Sequence, residues 1–171
     1  MNVIRLIIFT IVVPGFVLGY VPYSLYNAQE TFGIGFFRYT GLILISVGVL
    51  LYIWSVLSFL IKGNGTPAIW FTKYLKILIG EEPIRLVSSG LYKTSRNPMY
   101  LGVLMIVFGL SILLESKTIL IYTGILGVFF HIVVIFLEEP HLKKNFGKEY
   151  ELYLKKTHRW FGLKSMNNNA T

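Results

Sequence analysis

The sequence predicts an all-α, polytopic membrane protein of about four transmembrane helices followed by an amphipathic cytoplasmic helix at the C-terminal end. Three observations carry that expectation. Of the 171 residues, 54% are hydrophobic and only 14% charged, too few ionisable side chains to cover the outside of a soluble domain. The apolar residues are gathered into four long uncharged runs, each preceded by a basic residue. The basic residues are also unevenly distributed between the two sides that those runs define. Aromatic residues at 16% exclude a disordered chain, and the absence of cysteine excludes disulfides, thiolate metal sites and a catalytic thiol.

The runs are 7–27 after Arg5, 39–61 after Arg38, 98–114 after Arg96 and 118–137 after Lys117. At 1.5 Å per residue the second reaches about 35 Å, enough to cross a hydrocarbon core of roughly 30 Å with some tilt, whereas the third reaches only about 25 Å and must begin or end inside protein or draw its flanks into the interface. Of the 16 basic residues, Arg5, the six between the second and third runs and the seven after Glu139 lie on one side; Arg38 and Lys117 lie on the other. The positive-inside rule therefore predicts a multi-pass integral membrane protein with both termini in the cytoplasm. The net charge of +8 then reflects topology and attraction to anionic lipid rather than nucleic-acid binding. The first run lacks a small-x-small cleavage site and is expected to stay as an anchor.

Within the first run, Pro14-Gly15 predicts a kink, because proline removes a backbone donor and glycine adds freedom. The expected divisions are two N-terminal transmembrane helices (1–61), a cytoplasmic or interfacial linker (62–97), a transmembrane hairpin with the C-terminal helix as core (98–163), and a loose tail (164–171). In the linker, the turn cluster 63–67 precedes a stretch, 68–79, too short to span. With Trp70, Tyr74, Lys73 and Lys76 it reads as an interfacial helix. After Pro140, Leu142, Phe146, Tyr150 and Leu154 recur every four residues among lysines, predicting an amphipathic helix whose stripe covers the membrane surface or the ends of the third and fourth spans.

Two polar clusters sit at the cytoplasmic ends of consecutive spans. In Arg96-Asn97-Pro98-Met99-Tyr100, Asn97-Pro98 taken alone is a good helix start, Asn as N-cap and Pro at the first helical position. In Glu138-Glu139-Pro140, two carboxylates at a helix C-terminus oppose the macrodipole at a cost of about a few tenths of a kcal/mol each, and Pro140 predicts a break just beyond them. The pair is either an ordinary solvated charge pair or part of a site. Only Glu115-Ser116-Lys117 joins the third and fourth runs, so they form a tight hairpin that brings Arg96, Asn97, Tyr100, Glu138 and Glu139 together. His131, about two turns before Glu138 and on roughly the same face, reads as a neutral, hydrogen-bonded bundle histidine, with an active role as the competing reading. His141 and His158 are isolated, and no spacing supports a metal site.

The segment Gly90-x-Tyr92-x-x-x-Arg96-Asn97-Pro98-Met99-Tyr100, a hydrophobic hairpin, then Glu138-Glu139-Pro140-x-Leu142-x-x-x-Phe146-Gly147-x-x-Tyr150-x-x-Tyr153 resembles the C-terminal core of the integral-membrane methyltransferase superfamily. That superfamily includes the isoprenylcysteine carboxyl methyltransferases and the phospholipid methyltransferases. The resemblance implies S-adenosyl-L-methionine as methyl donor, S-adenosyl-L-homocysteine as product, and a cofactor pocket at the cytoplasmic end of the hairpin closed by the C-terminal helix. It assigns Arg85, Leu86, Val87, Tyr92, Asn97, Pro98, Tyr100, Glu138 and Glu139 to the cofactor, and Glu138, Glu139 and Arg96 to catalysis. Arg96 pairs with a cofactor or substrate carboxylate, pairs with a lipid phosphate, or serves only as a positive-inside anchor.

The implied partners are the bilayer and a membrane lipid or prenylated substrate, with no nucleic acid and no metal. Asn97 stands where the carboxyl methyltransferases usually carry histidine, which favours the phospholipid branch, while Phe146-Gly147-x-x-Tyr150-x-x-Tyr153 resembles the isoprenylcysteine branch. A non-catalytic membrane scaffold and a small transporter or channel subunit are the competing classes.

Overall fold

The computed structural model describes residues 13–27, 31–63 and 84–162, and the regular elements among them are helices. Helix α1 is Val13–Leu25. Helix α2, Thr40–Ser58, is entered through a 3-10 turn, Gly35–Tyr39, and prolonged by a π turn, Phe59–Gly63. Helix α3 is Pro98–Leu113, α4 is Lys117–Val133 and α5 is Glu139–Lys156. A π turn, Val134–Glu138, runs α4 into α5 without interruption. Gly35–Gly63 and Lys117–Lys156 are long and apolar enough to cross a membrane by length and composition, while Val13–Leu25 and Pro98–Leu113 are shorter apolar helices. The expected interfacial helix 68–79, the start of the first run and the tail 164–171 lie outside the described residues.

The closest backbone packing in the bundle is between α2 and α3. Gly41 and Gly48 on α2 lie against Gly109 and Gly102 on α3. A Cβ built on Gly48 would stand 2.7 Å from Gly102 O, and one on Gly109 would stand 2.7 Å from Gly41 O. Helices in lipid gain no hydrophobic drive from association, so this close approach supplies packing that larger side chains would prevent. Around it lies the main core: Tyr52 and Val56 from α2, Val103 and Val107 from α3, and Ile119, Leu126 and Phe130 from α4.

Helix α1 departs from α geometry at Phe16–Tyr20, one turn beyond the Pro14-Gly15 pair expected to kink it. The Val21 N–H donates to Phe16 O in π register, and Pro22 has no N–H to offer the next carbonyl. Tyr122 of α4 takes up that position, donating its hydroxyl to Val17 O at 3.2 Å. The α3–α4 turn is secured by Glu115, whose φ of 53° is uncommon for a residue with a side chain. Its carboxylate accepts from the Ile34 and Gly35 N–H groups at 2.7 and 2.8 Å, and its carbonyl accepts from Phe32 N–H at 2.9 Å. Ser116 then caps α4, accepting from Ile119 N–H. Glu115→Ala should therefore lower unfolding stability by about 1–2 kcal/mol through loss of two charge-assisted bonds. Thermal unfolding in detergent, where Glu115→Gln should recover part of the loss, measures it.

Pro140 does not break the chain. It occupies the first turn of α5, and the π turn before it, in which the Glu139 N–H reaches back to Val134 O, widens the helix where an α-helical bond to the proline nitrogen would be missing. The break comes at Gly147, whose φ of 48° and ψ of −122° are open to a residue without Cβ. The expected stripe is thus two segments meeting at an angle. Leu142 and Phe146 before the kink, and Tyr150, Tyr153 and Leu154 after it, pack on Phe59 at the end of α2 and on Val87 and Tyr92. Leu142, Phe146 and Tyr153 of the stripe also line one hollow with Met99 and Tyr100 at the start of α3 and Glu138 just beyond α4, so the expected cover over the ends of the hairpin is present in part.

Candidate active site

The chain rejoins the bundle at the end of α2, where the Ile84 N–H donates to Gly63 O at 2.9 Å. Residues 86–88 form no regular element, Ser89 is extended, Gly90 turns the chain with a φ of 67°, and the 3-10 turn Gly90–Lys93 follows. The Tyr92 ring is buried edge-on against Phe59, and its carbonyl accepts from the Tyr153 hydroxyl at 2.6 Å, which fastens the far half of α5 to this loop. Lys62 fastens the other side through Ser89 Oγ. Asn97 stands at the N-cap position of α3 with Pro98 as the first helical residue, but its side chain makes no cap bond. Its Nδ2 donates instead to Arg159 O at 3.0 Å, so the helix-start expectation is right in position and wrong in the work the amide does.

These elements enclose a narrow cleft with a cavity volume of about 50 Å³. Arg85, Leu86, Val87, Tyr92, Arg96, Asn97, Tyr100 and Glu138 line it, so most of the candidate cofactor positions share one wall. Pro98 and Glu139 do not line it: Pro98 is buried at the foot of α3, and Glu139 faces Arg96 and Arg159 behind the wall. Phe59, Met99, Leu142, Phe146 and Tyr153 also line the cleft and were not among the residues expected there. Phe59 sits in an apolar run whose sequence looks like any other span; Leu142 and Phe146 lie on the apolar stripe expected to cover the ends of the hairpin, and Tyr153, off that four-residue repeat, is marked only by the quoted motif.

Glu138 is buried and accepts a hydrogen bond from the Tyr100 hydroxyl. It stands one position beyond the apolar run that ends at Leu137. Burial pushes its carboxyl up from the ordinary range, and the Tyr100 bond pulls it partly back. Burial also raises the hydroxyls of Tyr92, Tyr153 and Tyr150, the last to about 12, so all three remain protonated donors at neutral pH. His131 is not on the Glu138 face, because the intervening π turn changes the angular step between them. It is exposed, and its Nδ1 accepts from Trp160 Nε1–H at 3.1 Å. It is hydrogen-bonded as expected, though to the segment after α5 rather than within the bundle.

Two arginines line the cleft, Arg85 exposed and Arg96 mostly buried. The Arg96 side chain is 9% exposed, and Nη2 lies 3.2 Å from Glu139 Oε1. Its Nε and Nη1 are buried with no hydrogen-bond partner among the described residues. Buried guanidinium donors without acceptors are costly and mark a place where a ligand supplies them. The cleft thus offers an under-satisfied cation, a buried carboxyl–phenol pair and aromatic or apolar walls, a donor set suited to a zwitterionic ligand that also carries a flat ring. Among the described residues no group of three or more His, Asp or Glu is placed to hold a metal. Arg159, which grips Glu139 from outside, is the residue least legible in the sequence: nothing distinguishes it from the lysines around it.

Comparison with known proteins bears on this cleft directly. Residues 36–149 match the family model for phospholipid methyltransferase, a range that contains every candidate site residue. Two rice proteins, from Oryza sativa subsp. indica and subsp. japonica, each named a probable protein-S-isoprenylcysteine O-methyltransferase, are 29% identical over 124 residues. The match takes in 72% of this chain and 60% of each rice protein, so the chain spans less than two thirds of these relatives. No solved structure matches the chain. The family match extends over well over half of the sequence and contains every lining residue of the cleft but Tyr153, and the chain belongs to the phospholipid methyltransferase family, within the integral-membrane methyltransferases that its motifs resemble.

Proposed function

We propose that this chain is an integral-membrane, S-adenosylmethionine-dependent methyltransferase that modifies the polar end of a lipid-type acceptor at the cytoplasmic boundary of a four-span bundle. One observation carries the reading: the Arg96–Tyr100 corner and Glu138, distant in sequence, line one cleft, and Arg96 there has two buried nitrogens without partners among the described residues. The residue types suit the cofactor, and the cleft, about 50 Å³ as it stands, widens to admit it. Arg96 would take its carboxylate, Glu138 with Tyr100 its ribose hydroxyls, and Phe59, Tyr92 and Phe146 would flank the nucleoside. When bound, S-adenosylmethionine supplies a sulfonium methyl group whose bonding pair stays on sulfur as the methyl passes in line to an acceptor lone pair, leaving S-adenosylhomocysteine.

The protein's part is to align and to exclude water. Leu142, Phe146 and Tyr153 of α5 line the cleft together with Asn97, Met99 and Tyr100 at the start of α3. A carboxylate acceptor arrives ionised and asks for no base. An amine acceptor must lose a proton, and Glu138 is the carboxylate in the cleft that receives it; this favours the amine of a phospholipid such as phosphatidylethanolamine. Transfer of radiolabelled methyl, tested in parallel on phosphatidylethanolamine and on an S-farnesylcysteine analogue, decides between the branches. Label on phosphatidylethanolamine is the expected result; label on the farnesylcysteine alone moves the protein to the carboxyl branch, and label on neither refutes the enzyme reading and returns the scaffold or transport classes.

A further inference from the structure

The ion cluster behind the cleft is unevenly shared. Arg159 takes both oxygens of Glu139, Nε to Oε1 at 2.6 Å and Nη2 to Oε2 at 3.0 Å, the geometry of a bidentate guanidinium–carboxylate pair. Arg96 is left with one longer contact to the same Oε1, at 3.2 Å, and with the Tyr150 hydroxyl beside its guanidinium. Arg159 is itself held in place. Its carbonyl accepts from Asn97 Nδ2 at 3.0 Å and from Ser95 Oγ at 3.4 Å. The preceding carbonyl, His158 O, accepts from the Arg96 N–H at 3.0 Å, and the following residue, Trp160, donates to His131. The segment after α5 is therefore strapped across the Arg96–Asn97 corner on both sides, with Arg159 aimed at Glu139.

We infer that Arg159 is a positioning residue: by occupying Glu139 it keeps Arg96 from being neutralised, so that the two unpartnered Arg96 nitrogens receive an oxyanion of the bound ligand. Two guanidinium groups around one carboxylate leave one positive charge in a mostly buried place, and an anionic ligand group balances it. Without Arg159, Glu139 has both oxygens free for Arg96 and closes on it as a bidentate pair, which removes the charge the ligand needs. The inference rests on the methyl-transfer reading of the cleft. The oxyanion comes from one of two sources, the cofactor's amino-acid carboxylate or a carboxylate or phosphate on the acceptor.

Calorimetry on the full chain in detergent, with S-adenosylhomocysteine and with 5′-methylthioadenosine, which lacks the amino-acid carboxylate, tests this alongside the acceptor KM. If the cofactor supplies the oxyanion, Arg159→Ala weakens S-adenosylhomocysteine binding about tenfold or more and leaves 5′-methylthioadenosine unchanged. If the acceptor supplies it, cofactor binding is unchanged and the acceptor KM rises about tenfold with little change in kcat. In both cases adding Glu139→Gln to Arg159→Ala restores most of the loss, because Arg96 again has no competing anion; a residue that merely held the fold together would not be rescued in this way. Arg159→Lys, which keeps a cation without the bidentate grip, gives a smaller loss in the same readout and stands in should the alanine variant fail to fold. Wild-type values in Arg159→Ala, equal weakening of both nucleosides, or a loss that Glu139→Gln deepens would overturn the inference. Wild-type protein that binds no S-adenosylhomocysteine would instead overturn the methyltransferase reading beneath it.

Discussion

Glu138→Gln is expected to lower kcat for methyl transfer to phosphatidylethanolamine by about 10²–10⁴-fold, the usual worth of a positioned general base. Glutamine has the size of glutamate and still accepts the Tyr100 hydrogen bond, so packing and much of the cofactor affinity are retained; what it lacks is a site for the acceptor's proton. The pH profile adds a second readout. Burial raises the Glu138 carboxyl and the Tyr100 bond lowers it, and only the ionised form accepts a proton. The wild-type rate on an amine acceptor therefore rises with pH as Glu138 ionises, on a limb lying above the ordinary carboxylate range, and that limb is absent in Glu138→Gln. Tyr100→Phe removes the influence that lowers the carboxyl and should move the same limb to higher pH. A glutamine variant that retains wild-type kcat and its acid limb on phosphatidylethanolamine would remove Glu138 from proton transfer.

The sequence disclosed the cleft better than it disclosed the bundle. The convergence of Arg96, Asn97, Tyr100 and Glu138 follows from a three-residue connection between two apolar runs, because so short a link leaves the helices no choice but to return antiparallel. Three things were hidden because they depend on local register or on tertiary partners. A proline one turn into a helix reads as a break, yet the π turn at Val134–Glu138 absorbs Pro140 and turns Glu138 inward, away from the exposed face of His131. Glu138 and Glu139 look equivalent as adjacent carboxylates, but a step of about 100° per residue sends one into the cleft and the other to a pair of arginines behind it. Arg159 lies in a lysine-rich stretch where charge says only which side of the membrane it occupies. Its role becomes visible only once Asn97 and Ser95 are seen to hold its carbonyl. The apolar runs were read for length, and the glycines inside them, which decide which helices touch, went unread.

Those glycines carry the largest stability effect expected anywhere in the chain. Gly48→Val would place a Cβ 2.7 Å from Gly102 O and 2.9 Å from Ile106 N, with Ile106 Cγ1 at 2.8 Å. Two of these three atoms are backbone and cannot swing aside, so α2 and α3 must separate along their length. Overpacking alone costs about 1–3 kcal/mol, and separation forfeits the contacts of Tyr52, Val56, Val103 and Val107 as well, so a loss of more than about 3 kcal/mol is expected. The site goes with the packing. Phe59 follows directly on α2 and Asn97 and Tyr100 stand at the start of α3, so opening the pair pulls apart walls of the cleft, and any folded remnant should bind S-adenosylhomocysteine weakly. Gly124→Ala is the matched control: among the described residues no heavy atom lies within 4 Å of its added Cβ, and alanine gains up to about 1 kcal/mol of helix propensity over glycine. Thermal unfolding in detergent should therefore place Gly48→Val far below wild type and Gly124→Ala at or above it. Equal unfolding temperatures for Gly48→Val and wild type would mean that α2 and α3 do not make backbone contact, and the geometry that holds the cleft together would have to be sought elsewhere.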